Sequence, residues 1–377
     1  MTVPCVVYRG GTSRGLFFHE RDLPKDEQVR RQIFLKGIGA EDASHVNGLG
    51  GGTSHTSKVV IIDKSFKPGV DVNYTFVQLG MGSDVIDYEG TCGNLMAAVG
   101  AFAVDEGMIE IDSEKDIVDV NVWSTNINKK IVIQVPVKNG KAQVSGNYFM
   151  PGVNELGAKY LVNIASPGGG KTGVTLPLLA KRKMNKENGI IHYSFSDIVN
   201  PFVYVKAEDL SFHKEALCTD FNQNEDLVNE LEEIRKHVSV QSGLALNLKE
   251  AENILIALPK VSFISEPKDY LTLSGKRIKK DEYDIFARMV SVKKMHKTFA
   301  VSGLLNLAGT CLLDGTIPNE LYSIDYKEGE QIIRIGHPGG ITEVRVKKNE
   351  NDEKIDYVGL DRTARKIMAG DLYIPLV

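Results

Sequence analysis

The chain has little of what staples, ligates or spans. It holds four cysteines in 377 residues, and Cys5, Cys92, Cys218 and Cys311 are widely scattered with no Cys-x-x-Cys pair. That spacing offers neither a disulfide framework nor a thiol metal site, and it fits free thiols in a reducing, cytoplasmic compartment. The eight histidines show no paired-ligand spacing, so no metal is expected. No apolar run approaches the length needed to cross a bilayer, so no membrane partner is expected. The apolar start, Met1 to Tyr8, lacks a charged leader and a cleavage site and reads as a first strand, not a signal peptide. Positive charge is not in excess either. With 45 basic and 49 acidic residues the formal net charge is -4, which leaves no footprint for nucleic acid. Short clusters such as Lys181-Arg182-Lys183 and Lys293-Lys294 read as solvated surface.

Nucleotide motifs are missing as well. Ala165-Ser-Pro-Gly-Gly-Gly-Lys-Thr172 invites a phosphate-binding reading, but Ala165 stands where a P-loop needs glycine. Gly48-Leu49-Gly50 continues to Thr53 where a dinucleotide fingerprint requires its third glycine, and it precedes a strand. Both readings are rejected.

What remains is ordinary in bulk and distinctive in pattern. Hydrophobic residues make up 42% and charged residues 25%, as in a globular protein, and the length favours two domains. Short β-branched runs bounded by turn residues predict strands at Val3–Tyr8, Val59–Ile62, Val70–Val77, Ile117–Val122 and Ile131–Val137. Asn139-Gly140 predicts a hairpin. Gly93 to Gly107 is apolar nearly all round and predicts a buried helix. The second half repeats the theme, with strands at Phe202–Val205, Val261–Ile264, Ile332–Ile335 and Thr342–Val346 and an apolar segment from Gly303 to Leu313. Between them, Asp226–His237 carries Leu227, Leu231 and Ile234 on one face of a surface helix. The polar stretch Lys181–Asn188 marks the boundary, so the expected domains are 1–183 and 184–377, with the chain end allowed to cross back to the first.

Three places carry candidate chemistry. Arg9-Gly-Gly-Thr-Ser-Arg-Gly15 follows the first strand, and Gly48-Leu-Gly-Gly-Gly-Thr-Ser-His-Thr-Ser-Lys58 precedes another. Glycines let backbone N–H groups turn toward an anion, and the hydroxyls of Thr12, Ser13, Thr53 and Ser54 add donors. Either loop alone is also compatible with a plain turn. Thr91-Cys92-Gly93-Asn94 opens the buried helix, where the unpaired N–H groups of a helix N-terminus can hold a carboxylate and favour a thiolate. A buried structural cysteine is the alternative. His296, Lys297 and His337 are isolated polar residues beside glycine-containing loops, each of which can equally be a hydrogen-bonded structural group.

On these motifs the sequence resembles the PrpF family, which includes 2-methylaconitate isomerase, methylitaconate isomerase and oxalomesaconate tautomerase. The likeness runs through both glycine loops and Cys92-Gly-Asn-Leu-Met-Ala-Ala-Val-Gly-Ala-Phe-Ala-Val104. It continues in Asn200-Pro201, His296-Lys297, Arg334-Ile-Gly-His-Pro-Gly339 and Arg362-Thr-Ala-Arg365. It implies an α+β, diaminopimelate-epimerase-like fold of two similar domains, each a mostly antiparallel sheet wrapped around a central helix, with substrate in the cleft between them. It implies a cofactor-independent isomerase that shifts a proton on a small unsaturated di- or tricarboxylate. Lys58 matches the family's catalytic lysine, Cys92 its active-site cysteine, and Ser13 a substrate-contacting serine. Thr12, Thr53, Ser54, Gly93, Asn94, His296, Lys297, Ser302, Gly303 and His337 complete the candidate substrate-binding set. The second loop and Val99-Gly-Ala-Phe102 are most similar to the 2-methylaconitate isomerases.

The alternatives kept open are a tautomerase of an oxo-polycarboxylate, a two-thiol amino-acid epimerase and a non-catalytic anion-binding relative. The epimerase needs a second thiol facing Cys92, for which Cys311 is the candidate. A homodimer is the oligomeric form entertained. The chain departs from its relatives at His55, at Leu178-Leu179 and at Leu304-Leu305-Asn306, which make the second helix entrance more apolar.

Overall fold

The computed structural model describes the chain except residues 89, 113, 187–188, 211–224, 254–257, 292–293, 297, 323, 325–327, 351–353 and 376–377. Two compact units emerge, Met1–Ala165 with Leu360–Val377, and Ser166–Gly359. The division falls at Ala165–Ser166, ahead of the polar stretch expected to carry it. Arg182–Lys186 is instead a strand, paired antiparallel with Gly189–Ile198. Polarity there reflects a strand with mostly exposed side chains, not a linker.

The first unit begins with β1 (Thr2–Gly10) and β2 (Ser13–His19), an antiparallel hairpin closed by Gly11 and Thr12. Gly11 has φ 53°, the left-handed backbone that a two-residue hairpin requires at its first loop position and that glycine adopts freely. The C-terminal strand Ala364–Tyr373 pairs along the other edge of β1. On the opposite side β2 runs parallel to β3 (Lys58–Lys64), which pairs antiparallel with β4 (Val72–Leu79). The sheet continues through Ile117–Ser124, Lys129–Lys138 and Tyr160–Ala165.

Helices cover both faces of the sheet. Helix α1 (Glu27–Ile38) is capped by Asp26, whose carboxylate accepts from Gln28 N and Val29 N. It buries Ile33, Phe34, Leu35 and Ile38 with Leu16, Phe18, Val59, Ile61, Val77 and Leu79. Helix α2 (Met96–Asp105) is the predicted apolar helix, with every residue from Met96 to Val104 buried. Its Phe102 meets Tyr8 edge-on and packs at a tilt against Phe17, and Gly100 lets Ile133 and Val135 approach so closely that a Cβ would sit 2.7–2.8 Å from their methyls. The alternation of strand side chains therefore assigns Leu16, Phe18, Val59 and Ile61 to the α1 face, and Ser13, Gly15, Phe17, Lys58 and Val60 to the α2 face.

The second unit repeats this design. Strand Gly189–Ile198 turns into Asn200–Lys206 at Val199, which runs parallel to Lys260–Ser265 and on to Ile285–Ser291, Glu330–His337, Gly340–Lys348 and Ile355–Arg362. Helix α3 (Glu225–Gln241) packs Leu227, Leu231, Ile234 and Val238 on one face against Phe195, Val203 and Phe263. Short α4 (Leu248–Asn253) follows, and Ala251 O accepts from Arg235 of α3. Helix α5 (Val301–Cys311) is the buried counterpart of α2, and short α6 (Ile317–Leu321) follows it, capped by Thr316. The fold is α+β throughout. Among the described residues no helix is long and apolar enough to cross a membrane.

Candidate functional site

Three glycines press the first hairpin onto the turn that opens α2. A Cβ at Gly10 would lie 2.6 Å from Asn94 O, one at Gly11 2.4 Å from Asn94 Oδ1, and one at Gly15 2.9 Å from Lys58 O and 3.1 Å from Leu95 Cδ1. The approach brings Ser13 Oγ within 3.8 Å of Cys92 Sγ and lets Asn94 Nδ2 donate to Thr12 Oγ1 at 3.1 Å. Thr12, Ser13, Cys92, Gly93 and Asn94 thus form one cluster. The regular helix starts at Met96, later than the expected Gly93, although Met96 N already bonds back to Cys92 O at 3.2 Å. Cys92 therefore sits at the lip of α2, where the first backbone N–H groups have no partner within the helix.

Lys58 is the first residue of β3, 8% exposed, and it lies on the same face of the sheet as Ser13 and Gly15. Its Nζ donates to Gln78 Oε1 at 2.5 Å and lies 5.0 Å from the Phe76 ring centre. Gln78 Nε2 in turn donates to the carbonyls of Ser54, Ser57 and Leu79. That leaves the amide oxygen, and not the NH2, to meet the lysine. Gln78 was not singled out from sequence. Only the strand register, which sets it opposite Lys58, reveals it.

Thr53 and Ser54 are exposed on the second loop. The loop folds on itself through Thr56 N and Ser57 Oγ, both donating to Thr53 O. It is tied to β2 where Arg14 N donates to His55 O and Arg14 Nη2 to Leu49 O. Desolvation and then the charge of Lys58 hold the His55 imidazole below its usual range. Buried His45 also went unnoticed in the sequence. Its φ is 57° and neither ring nitrogen has a hydrogen-bond partner among the described residues.

In the second unit, His296 and His337 are electrostatic neighbours. His337 Nδ1 accepts from Gly339 N at 3.1 Å, and Nε2 meets Thr342 Oγ1 at 2.9 Å. Burial, then the charge of His296, pushes His337 down to about 4, so it is a neutral imidazole with both nitrogens engaged. His296 Nδ1 accepts from Thr298 N. Ser302 and Gly303 lie in the first turn of α5. A Cβ at Gly303 would fall 2.5 Å from Phe202 Cζ and 2.6 Å from Phe299 Cε1, so this glycine serves close aromatic packing. Lys297 and Cys218 lie outside the described residues.

Three features of the sequence have structural roles. Asn306 is fully buried, accepting from Ser196 Oγ, Tyr204 OH and Thr310 Oγ1 and donating to the carbonyls of Ser196, Ile198 and Asn200. It bolts α5 to the Val199 turn. The glycine loop once considered for phosphate is occupied from within: Lys171 N, Thr172 N and Thr172 Oγ1 all donate to Asp197 Oδ2. A carboxylate of the chain fills that nest, in keeping with rejection of the nucleotide reading. Cys311 is the last residue of α5, ~15 Å along the axis from its start, and burial drives its thiol well above the ordinary range. It is a core residue, not a second catalytic thiol. Among the described residues no cluster of three His, Cys, Asp or Glu side chains is placed to hold a metal.

The closing motif returns to the first loop. Arg9 Nη1 donates to Thr363 Oγ1 and O and to Gly11 O, and Gly11 N donates to Thr363 O. Arg362 Nε donates to Asn94 Oδ1 at 3.0 Å. Residues from four distant stretches of sequence thus come together in the first unit. The model of the PrpF protein family matches residues 1–375. The chain belongs to the PrpF family.

Among PrpF-related proteins, it is 35% identical over 99% of its length to 3-methylitaconate isomerase of Eubacterium barkeri, of which it covers 97%. It is 32% identical to 2-methyl-aconitate isomerase of Shewanella oneidensis, again over 99% of this chain and 97% of the relative. The crystal structure of a methylitaconate-delta-isomerase superposes with a TM-score of 0.88 at 35% identity, covering 99% of this chain and 96% of that one. The chain shares its fold with that enzyme.

Proposed function

We propose that this PrpF-family isomerase moves a proton along an unsaturated polycarboxylate, with Lys58 as the base and Cys92 as its partner at the lip of α2. The chemistry of the family is proton-shifting isomerisation of small unsaturated di- and tricarboxylates. One observation carries the assignment of residues here: Ser13 Oγ lies 3.8 Å from Cys92 Sγ, and the Lys58 main chain lies beside Gly15, two residues further along β2, with the lysine on the same face of the sheet.

Lys58 removes a proton from the carbon next to the double bond. The C–H electron pair becomes the new C=C, the old π pair moves toward the conjugated carboxylate, and a proton returns at the far allylic carbon. Charge gathers on the carboxylate as the proton leaves, so donors already aimed at it lower the barrier. The N–H groups at the start of α2 and the Thr12 and Ser13 hydroxyls supply such donors. Gln78 meets Lys58 with a neutral oxygen, which gives the lysine an acceptor to orient it. Cys92 returns or guides the proton. His296, Ser302, Gly303 and His337 are kept as candidate substrate contacts. Of these His337, with both ring nitrogens engaged, is the weakest.

We read the substrate as 2-methylaconitate-like, from the second loop and Val99-Gly-Ala-Phe102. A methylitaconate-type dicarboxylate is the second reading, favoured by the 35% identity to 3-methylitaconate isomerase. The test is NMR in deuterated water with 2-methylaconitate, methylitaconate, oxalomesaconate and saturated controls. The expected result is enzyme-dependent deuterium at the allylic carbons of one unsaturated acid. Binding without exchange for every acid refutes isomerase chemistry and leaves an anion-binding protein.

A further inference from the structure

Arg362 is a buried cation. It is 8% exposed, and among the described residues its guanidinium forms no ion pair. Its hydrogen bonds are two: Nε donates to Asn94 Oδ1 at 3.0 Å and Nη1 to the carbonyl of Asp361 at 2.8 Å. Among the described residues Nη2 donates to nothing, and it is not sealed from solvent. The charged and titratable groups that face the guanidinium are Tyr148, Asp361 and Cys92. The Asp361 carboxylate is held by Lys159 Nζ at 2.6 Å. Burial accordingly pulls the guanidinium below its usual range.

Stripping a guanidinium of water without an anion nearby is costly, and proteins rarely leave such a charge unmatched. The surroundings are those of an anion site. Asn94, which accepts from Nε, presents its own Nδ2 to Thr12 Oγ1, and Cys92 is in electrostatic contact. A planar fork of N–H donors suits a carboxylate.

We propose that Arg362 is the principal carboxylate anchor of the site, binding a carboxylate of the substrate through Nη2 beside Asn94 and Thr12. This rests on the polycarboxylate reading above and adds to it the residue that decides affinity for the anion. Arg362 also supports Asn94, so the test must separate charge from support. Arg362→Lys keeps the positive charge and loses the fork to Asn94. Arg362→Gln loses the charge and keeps a donor.

Two readouts serve: calorimetric binding of propane-1,2,3-tricarboxylate, a saturated acid that cannot undergo the allylic shift, and KM for whichever acid shows deuterium exchange. Arg362→Gln is expected to weaken both on the order of 100-fold, as for loss of one partner of a buried charge pair. Arg362→Lys is expected to recover at least roughly tenfold of that loss, one charge-assisted contact. Arg362→Gln should also melt at or above the wild-type temperature without ligand, because it removes an unmatched charge, and should lose the upward shift that the tricarboxylate produces in the wild type. The proposal is overturned if Arg362→Gln binds the tricarboxylate as tightly as the wild type. It is equally overturned if the two variants are impaired alike, which marks a purely supporting role, or if the wild type ignores the tricarboxylate. If no acid undergoes exchange, the isomerase reading fails instead, and the binding comparison still decides the anchor.

Discussion

Gly10→Ala probes the contact that joins the first loop to the turn carrying Cys92. Gly10 does not need a left-handed backbone, so alanine strains nothing locally. The added methyl instead meets Asn94 O at 2.6 Å, Leu95 Cα at 2.9 Å and Ala98 Cβ at 3.0 Å. Non-bonded carbon contacts settle near 3.5 Å, so relief requires the hairpin and the α2 lip to part by about 1 Å. Overpacking of that kind costs about 1–3 kcal/mol. Displacing reacting groups by ~1 Å lowers turnover on the order of 100-fold. The expected outcome is a variant that folds, melts lower and turns over far more slowly, measured by isomerisation assay and urea denaturation together. Gly90→Ala is the control. Among the described residues nothing lies within 4 Å of a Cβ there, so it should be neutral or slightly stabilising, by about 0.4–1 kcal/mol. Wild-type turnover and stability in Gly10→Ala would refute the claim that close backbone approach sets the site.

Lys58→Ala should keep the fold and lose at least ~10³-fold in exchange rate, the scale of a missing general base; near-normal exchange removes Lys58 from the mechanism. Cys92 should alkylate faster than Cys5 and Cys311 at neutral pH, because burial pushes Cys5 up to about 12 and raises Cys311 further, and a bound polycarboxylate should slow Cys92 alone. Peptide mapping after iodoacetamide treatment decides this, and equal rates at all three count against a reactive Cys92. For His337 the folded value of about 4 lies below that of the unfolded chain, so the unfolded state takes up the proton first. Stability from this group is present above pH ~6.5 and is lost as pH falls toward 4, by about 3 kcal/mol in full. His337→Asn should flatten the pH–stability curve in that window, and an unchanged slope in urea melts contradicts the assignment. Asn306→Ala should destabilise by ~3 kcal/mol or more, since several buried groups lose their partner together, and a change under 1 kcal/mol shows that the α5 anchor lies elsewhere.

Much of the fold was readable in the sequence because its signals are local. Period-two alternation marked strands such as Ile131–Val137, and an apolar run without a polar face marked α2. A left-handed Asn139-Gly140 pair marked a hairpin observed with Val137 opposite Ala142. Helix α1 escaped notice, though Asp26 and Gly39 cap it as cap residues should. The polar edge strand Arg182–Lys186 was mistaken for a boundary because solvent-facing strands and linkers share a composition.

The sequence also marked, through several motifs in one order, the candidates for the chemistry: Lys58, Cys92 and the hydroxyls of two glycine loops. What it left undetermined are relations across long separations. That Gln78 faces Lys58 follows from the register of β3 on β4. That Arg362 sits against Asn94, and Thr363 against Gly11, follows from the last strand returning to the first. That Asn306 serves the frame, and that Asp197 fills a loop resembling a phosphate nest, depends on which carbonyls and N–H groups packing brings into reach. Periodicity and capping act over a few residues and are written in the chain. Hydrogen bonds and buried charges find their partners only when strands distant in sequence have paired, and that step belongs to the tertiary structure.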